Sequence, residues 1–482
     1  MPTTVVWFHN DLRVRDHAAL SAACERGAVV GLFVWAPGEQ GERAPGAARR
    51  WWLHHALVSL RAELAQCGVP LVLRRAERAA VAVEEVVRAS SADAVFWNRR
   101  YDPAVAERDT AVASQLRCHG IWVEEHAGGW WQDAVGLAGG LQRRYQVFTP
   151  FWRWLANYVP ASPLPAPRAR ATPTSVPASD DLAAWHFLPR IPWDRGFYEV
   201  WQPSEAGAHR VLERFVHEQL GEYALRRDLL AAEGTSRLSP YLAHGQLSPA
   251  QVWHAVRQAT VDAAAKAAFL RQLAWREFAY QLLVEHPDLH VRPLRAQFET
   301  FPWREETNDE MVQRWRQGNT GIPLVDAGMR ELWATGWMHN RARMVVASWL
   351  TKNLLCHWRL GERWFWDTLV DADPANNPFG WQWVAGCGAD AAPYWRVFQP
   401  VRQGETYDRE GAYVRHWVPE LRHLPDRWIH RPWQAPGDVL ARAGVVLGKT
   451  YPQPLVDPDE SRKRALATFE EWRRSHTAGH ST

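Results

Sequence analysis

With 482 residues, 47% of them hydrophobic and 23% charged, the chain has room for two or three domains and a large core, which excludes wholesale disorder. The net charge of +3 permits a local basic face without demanding a nucleic-acid partner, and no run approaches the ~20 apolar residues that cross a bilayer. The opening MPTTVVWFHNDLR lacks the basic-then-apolar order of a signal peptide, and five scattered cysteines without a CxxC read as reduced thiols rather than a disulfide framework or zinc site. A cytoplasmic protein with no metal is the expectation.

The first stretch alternates strand and helix signals. VVWFH (5–9), AVVGLFVWA (28–36), PLVLRRA (70–76), AVFWN (94–98) and IWVEEH (121–126) are rich in β-branched and aromatic residues. Between them RRWWLHHALVSLRAELAQC (49–67) and PAVAERDTAVASQLRC (103–118) carry helical periodicity. This pattern predicts an α/β domain over 1–130, built on a doubly wound parallel sheet. It has no GxGxxG, so dinucleotide binding of the usual kind is not expected there. A connector over 131–204 follows, with PASPLPAPRARATPTSVPASDD (160–181) as an extended interdomain linker. From 205 to 482 helical patterns dominate, predicting a large all-α domain.

Within the helical part, GTSRLSPYLAHGQLSP (234–249) gathers Thr235, Ser236, Arg237 and Ser239; hydroxyls, backbone N–H groups and a guanidinium suit a diphosphate. Ordinary helix capping explains the same residues. FLRQLAWREFAYQLL (269–283) sets Gln272, Trp275, Arg276 and Phe278 at helical spacing, which by itself reads as core. In GWMHNRARMVVASWL (336–350), Trp337, Asn340, Arg343 and Met344 share one side of a helix that is apolar nearly all round. A buried Asn340 and Arg343 then need partners, and Asp371 supplies an ion pair or borders a polar ligand with them. AGVVLGKT (443–450) nearly matches a P-loop, but YPQP follows where a helix must start, so the match is rejected. The sequence has no GxSxG and no HExxH, so triad or zinc hydrolysis has no support. The outlier is tryptophan, of which there are 30, more than a core requires since every buried indole N–H wants a partner.

Taken together, WFHNDLRVRDHAAL (7–20), EGTSRLSPYLAHGQLSP (233–249), WREF (275–278), TGIPLVDAGMRELWATGWMHNRARM (320–344) and DADPANNPFGWQW (371–383) resemble the photolyase/cryptochrome family over the whole chain. The resemblance is nearest to class I cyclobutane pyrimidine dimer photolyases of bacteria. It implies an α/β domain joined to a helical domain that holds FAD. Tyr223, Thr235, Ser236, Arg237, Leu238 and Ser239 would clasp its phosphates and ribityl chain. Phe269, Arg276, Arg343, Asp371 and Asp373 would border the flavin, and Asn377 would face flavin N5. Trp381, Trp358 and Trp303 match an electron-transfer chain from the protein surface, since indole passes an electron without a proton partner. On the substrate side, Trp275, Gln272, Asn340, Met344 and Trp383 would line the pocket for an extruded dimer. Arg227, Arg341, Arg396 and Gln403 would meet the DNA strand.

Two positions depart from the dimer photolyases: Gln272 stands where they commonly carry glutamate, and Phe269 where bacterial relatives often have tryptophan. Glutamine at the first position is common in (6-4) photolyases, but those place a catalytic histidine where this chain has Asn340. The resemblance therefore implies blue-light repair of cyclobutane pyrimidine dimers in UV-damaged DNA by reduced FAD. A second antenna chromophore, methenyltetrahydrofolate or a deazaflavin, is expected with it. A monomer with no obligate protein partner, nucleoid-associated when on DNA, is the further expectation. A (6-4) photolyase and a cryptochrome-like photoreceptor are the alternatives; the end soon after FEEWRR (469–474), without a C-terminal extension, argues against the photoreceptor.

Overall fold

The computed structural model describes residues 1–135, 144–305, 310–391 and 395–478. Five parallel strands form the sheet: β1 (Thr3–Phe8), β2 (Ala28–Trp35), β3 (Leu71–Arg75), β4 (Ala94–Asn98) and β5 (Trp122–His126). Their order is β3-β2-β1-β4-β5, so the chain reverses direction across the sheet at β1. The predicted doubly wound architecture is present. β1 is buried along its whole length, as an apolar run in a parallel sheet covered on both faces must be.

Strand alternation sends the two faces of β1 to different cores. Val5 and Trp7 pack with Val83 and Val87 of the Ala79–Ser90 helix and Val112 and Leu116 of the Pro103–Cys118 helix. Val6 and Phe8 instead join the core that holds Trp51 and Trp52 of the Ala47–Gln66 helix, and this core continues to Phe197, Tyr241 and Phe278. One face of the sheet thus shares its apolar interior with helices of the later part of the chain. A third core, around Trp315, Trp349, Trp358 and Trp381, lies wholly within the helical part.

The 160–181 segment is extended, as its prolines predict, but it does not run free. Ala169 N–H donates to Cys67 O (2.9 Å), Arg170 N–H to Cys24 O (3.3 Å) and Asp180 N–H to Leu73 O (3.0 Å), pinning it against the α/β part. Backbone donors without water need such partners, and the sequence pattern carries no sign of which ones are near. Upstream, the Phe148–Leu155 helix buries Phe148, Phe151 and Leu155 in the shared core. At 443–450 no helix follows the Lys-Thr pair: Thr450 Oγ1 accepts from Val446 N–H at 2.8 Å, closing a turn.

The helix predicted over 336–350 runs from Asn340 to Ser348 and passes into a wider turn, Trp349–Asn353. His339 caps it, its side chain accepting from Arg341 N–H. One expectation fails here. Asn340 is exposed, and Arg343 and Met344 are only half-buried, although the opposite side with Val345, Val346 and Trp349 is fully buried. The polar side of the helix faces a cavity, which helical periodicity cannot distinguish from core.

Candidate functional site

A cavity of about 550 Å³ opens in the helical part between residues 234–239 and the helices Ala263–Glu285, Asn340–Ser348 and Asn376–Ala385. Its lining includes Tyr223, Thr235, Ser236, Arg237, Leu238 and Ser239. Arg237 adopts φ 52°, a left-handed conformation that a side chain other than glycine rarely takes. This turn sets its guanidinium 4.7 Å above the Trp337 ring, while Trp337 Nε1 donates to Ser239 Oγ at 3.2 Å. Strain of this kind persists only where neighbouring contacts fix the backbone.

Two carboxylates form the polar wall. Arg343 donates from Nη2 to Asp371 Oδ2 (2.8 Å) and from Nε to Met338 O (2.8 Å). Asp371 Oδ1 is buried without a protein partner. Asp373 Oδ1 accepts from the N–H groups of Ala375 (3.0 Å) and Asn376 (2.8 Å) and from the Asn376 amide, and its Oδ2 accepts from Tyr280 OH at 2.9 Å. Burial and the adjacent Asp373 charge push the Tyr280 hydroxyl well above its ordinary range, so it stays a donor. Arg276 lies 3.7 Å from Asp373 and 4.2 Å over the Trp130 ring, with its Nη1 buried and unpartnered.

Asn377 also lines the cavity. Its Nδ2 donates to Glu362 O (3.0 Å) and Glu362 Oε1 (2.9 Å). Both amide hydrogens are committed to acceptors, so hydrogen bonding assigns the orientation, and Oδ1 is the atom left over. Gly380, one turn along, lines the same cavity, and a Cβ there would meet nothing within 4 Å.

Aromatic and small polar groups line the rest. Trp275 stacks face to face on Phe148, ring centroids 3.6 Å apart at 8°, and Trp383 stacks on Phe398 at 6.2 Å. Phe269 packs against Phe215 (4.5 Å) and Tyr223 (5.2 Å). Gln272, Asn340 and Met344 are also in the lining; Gln272 Nε2 donates to Ala268 O (3.3 Å) and Asn340 Nδ2 reaches Met344 Sδ (3.8 Å). Arg227 borders the cavity and lies 5.3 Å over the Tyr223 ring.

Other residues singled out from the sequence lie outside the lining. Of the three indoles, only Trp381 reaches the cavity; its ring lies so close over Gly361 that a Cβ there would come within 2.0 Å. Trp358 is fully buried, and the His357 ring lies 5.5 Å from it and 5.1 Å from Trp303. The expectation that Trp303 marks the protein surface is corrected. It is 8% exposed, because Phe298 and Phe301 pack on it and Trp472 of the Pro458–Ala478 helix covers both. Arg341 is no free cation either: it pairs with Asp228 at 2.8 Å and lies 4.2 Å over the Tyr407 ring. Arg396 is exposed, 4.8 Å over Phe398, and Gln403 is half-buried with its Oε1 unpartnered. Sequence reasoning missed Glu362, Tyr280, Phe148 and Trp130. A charged residue buried inside the Trp-rich run WRLGERWFW was the available signal for Glu362.

Residues 4–168 match the family described as DNA photolyase, and residues 269–471 match the FAD binding domain of DNA photolyase. The chain is 43% identical over 470 residues to a deoxyribodipyrimidine photo-lyase of Agrobacterium fabrum, covering 96% of this chain and 97% of that one. It is 37% identical to Cryptochrome-1 of Arabidopsis thaliana over 472 residues, 96% of this chain and 69% of that one. A solved structure of a bacterial class III photolyase from Agrobacterium tumefaciens matches with a TM-score of 0.93 and 42% identity over 98% of each chain. The placement among class I enzymes is therefore not supported, since motifs common to the family do not separate its classes. A five-stranded parallel sheet, a helical half with an FAD-binding signature and near end-to-end similarity to photo-lyases leave one conclusion: this chain belongs to the photolyase/cryptochrome family.

Proposed function

We propose that the protein is a DNA photolyase that uses reduced FAD and blue light to split cyclobutane pyrimidine dimers. The observation that carries this reading is one cavity with three chemically distinct zones. Its lining joins the hydroxyls of Thr235, Ser236 and Ser239 with Arg237, the Asn377 amide with the Arg343–Asp371 and Arg276–Asp373 pairs, and Trp275 and Trp383 with small polar groups. The residues fit FAD: the volume lies in the range of cofactor sites, and Asp371 Oδ1 and Arg276 Nη1 belong to lining residues yet have no protein partner. Bound there, FAD would supply light-driven one-electron chemistry to the dimer.

The chain's own residues bind and position. Thr235, Ser236, Arg237, Leu238 and Ser239, with Tyr223, hold phosphates and the ribityl chain through hydroxyls, N–H groups and charge. Arg343, Asp371, Arg276 and Asp373 border the flavin with Phe269. Asn377 Oδ1, left over by the Glu362 contacts, would offer an acceptor to the N5–H of a reduced flavin, which would favour the reduced form. Trp275 and Trp383 offer flat faces to an extruded pyrimidine pair, and Gln272, Asn340 and Met344 supply polar and soft contacts. Trp381, Trp358 and Trp303 relay electrons for refilling an oxidised cofactor, with no proton acceptor required at each ring. Arg227, Arg341, Arg396 and Gln403 meet the strand beside the lesion, and an antenna, folate or deazaflavin, belongs to the α/β part. The protein acts as a monomer in the cytoplasm, on nucleoid DNA.

The test is repair of an oligonucleotide carrying one cyclobutane dimer, lit and dark, with FAD-loaded and reduced protein. Light-dependent restoration of the two pyrimidines is expected; none under blue light would sink the reading. Gln272 gives the (6-4) photoproduct a place as the second substrate in the same assay, and repair of that lesion alone would shift the substrate class. The similarity to Cryptochrome-1 favours a photoreceptor as the second reading, and binding of FAD without repair of either lesion would support it.

A further inference from the structure

The amide that faces the cavity is held by a residue that is itself held from the other half of the molecule. Glu362, on the Trp358–Thr368 helix, is 2% exposed. Its Oε1 accepts from Asn377 Nδ2 at 2.9 Å and from Arg43 Nη1 at 2.8 Å. Arg43 belongs to the segment before the Ala47–Gln66 helix, in the α/β part, more than 300 residues away in sequence.

The junction around this contact is tightly built. The Arg43 guanidinium lies 3.7 Å over the Trp366 ring, whose Nε1 donates to Ala44 O at 2.9 Å. Asp367 Oδ1 accepts from Ala47 N–H at 2.8 Å. At Gly46 a Cβ would come within 2.4 Å of Asp367 Cα and Trp366 O, so only glycine lets the two backbones approach this closely.

We infer that Arg43 is a positioning residue for the flavin site: through Glu362 it fixes the Asn377 amide with Oδ1 toward the cavity. A carboxylate paired with a guanidinium presents only acceptors to Asn377, so the flipped amide would set Oδ1 against two oxygens. Without the guanidinium, Oε1 of Glu362 loses the donor it shares with Asn377, and the carboxyl is free to turn away. That loosens the one amide orientation that would accept N5–H. The α/β half therefore takes part in setting the electron affinity of the site. This inference rests on the flavin reading proposed above.

The experiment compares the full chain, loaded with FAD, with Arg43→Gln, Arg43→Lys and Glu42→Gln. The readouts are FAD affinity and the midpoint potential of the bound flavin. Arg43→Gln should displace the oxidised-to-reduced equilibrium about tenfold toward oxidised, roughly 30 mV for a two-electron couple. FAD affinity should stay within about threefold, and Arg43→Lys should recover most of the shift. Glu42→Gln, which removes the exposed Glu42–Arg363 pair at the same junction, should leave the potential unchanged. Glu362→Gln breaks the same contact from within the helix, should move the potential the same way, and carries the test if Arg43→Gln does not fold. A potential in Arg43→Gln within about twofold of the parent in equilibrium terms overturns the inference, as does an Arg43→Lys displaced equally far. If the parent binds no FAD, the flavin reading itself fails. Hydrogen exchange of the Asn377 side-chain amide in cofactor-free protein then decides: at least fivefold acceleration by Arg43→Gln supports the coupling, and an unchanged rate overturns it.

Discussion

Asn377 shows how little the type of a residue says without its neighbours. The sequence places an amide in DADPANNPFG, but which amide atom meets a ligand follows from Glu362, which contributes two acceptors. Asn377→Asp would set a carboxylate against the Glu362 carboxylate and main-chain oxygen, and an unsatisfied or repelled buried group costs about 1–3 kcal/mol. The expected outcome is a lower melting temperature and bound flavin that reoxidises faster in air after photoreduction. Identical reoxidation rates in parent and variant would remove Asn377 from the flavin. The Arg343–Asp371 pair was legible because an arginine on a helix that reads as apolar nearly all round demands an acidic partner. Glu362 was not, because nothing in WRLGERWFW tells which donor of a distant segment will meet it. Lys352 makes the same point: buried with its Nζ donating to Ala385 O (2.7 Å) and 3.4 Å over the Trp395 ring, it reads from sequence as one more surface lysine.

Among the helices, Ala263–Glu285 does most to join the site to its surroundings. Phe269, Gln272, Trp275 and Arg276 face the cavity, and Glu277 turns away into the interior. There Glu277 Oε2 accepts from Gln132 Nε2 at 2.9 Å, and Gln132 Nε2 also donates to Glu277 O at 2.7 Å. Burial pushes the Glu277 carboxyl up to about 7, from 4.5. Because the folded value is raised, its stabilising contribution is complete below pH 4.5 and is lost as pH rises through about 7. The swing is on the order of 3 kcal/mol. Glu277→Gln should remove it, so that parent and variant denaturation midpoints diverge in the variant's favour between pH 5 and 8. Parallel pH profiles would mean that Glu277 does not titrate in that window. The strands were read within one or two residues because a buried parallel strand is a short apolar run. The Asn340–Ser348 helix was read too long and too buried because a cavity-facing side and a core-facing side share one period.

Across the molecule, basic groups do not contribute alike. Arg396 is exposed, whereas Arg341 is tied to Asp228 and shielded by Tyr407. Each phosphate contact adds about 0.9 to the slope of log affinity against log salt on duplex DNA. Arg396→Gln should therefore flatten that slope by nearly one unit for dimer-containing DNA. Arg341→Gln should change it less and lower thermal stability instead, by leaving Asp228 only its 3.9 Å contact with Arg227. Equal slopes for the parent and Arg396→Gln would take Arg396 off the DNA path. The architecture was readable from alternating strands and helices, yet the shared core was not, since it depends on which face of β1 meets Trp51 and Trp52.

The stacking of Phe148 on Trp275 has a directional outcome. One broad side of that indole is already covered by a ring from the Phe148–Leu155 helix, so only the other is open, and in the proposed repair reaction an extruded base would have to arrive from that side. A piece of chain that reads as mere connection between two halves would thereby set the direction of approach.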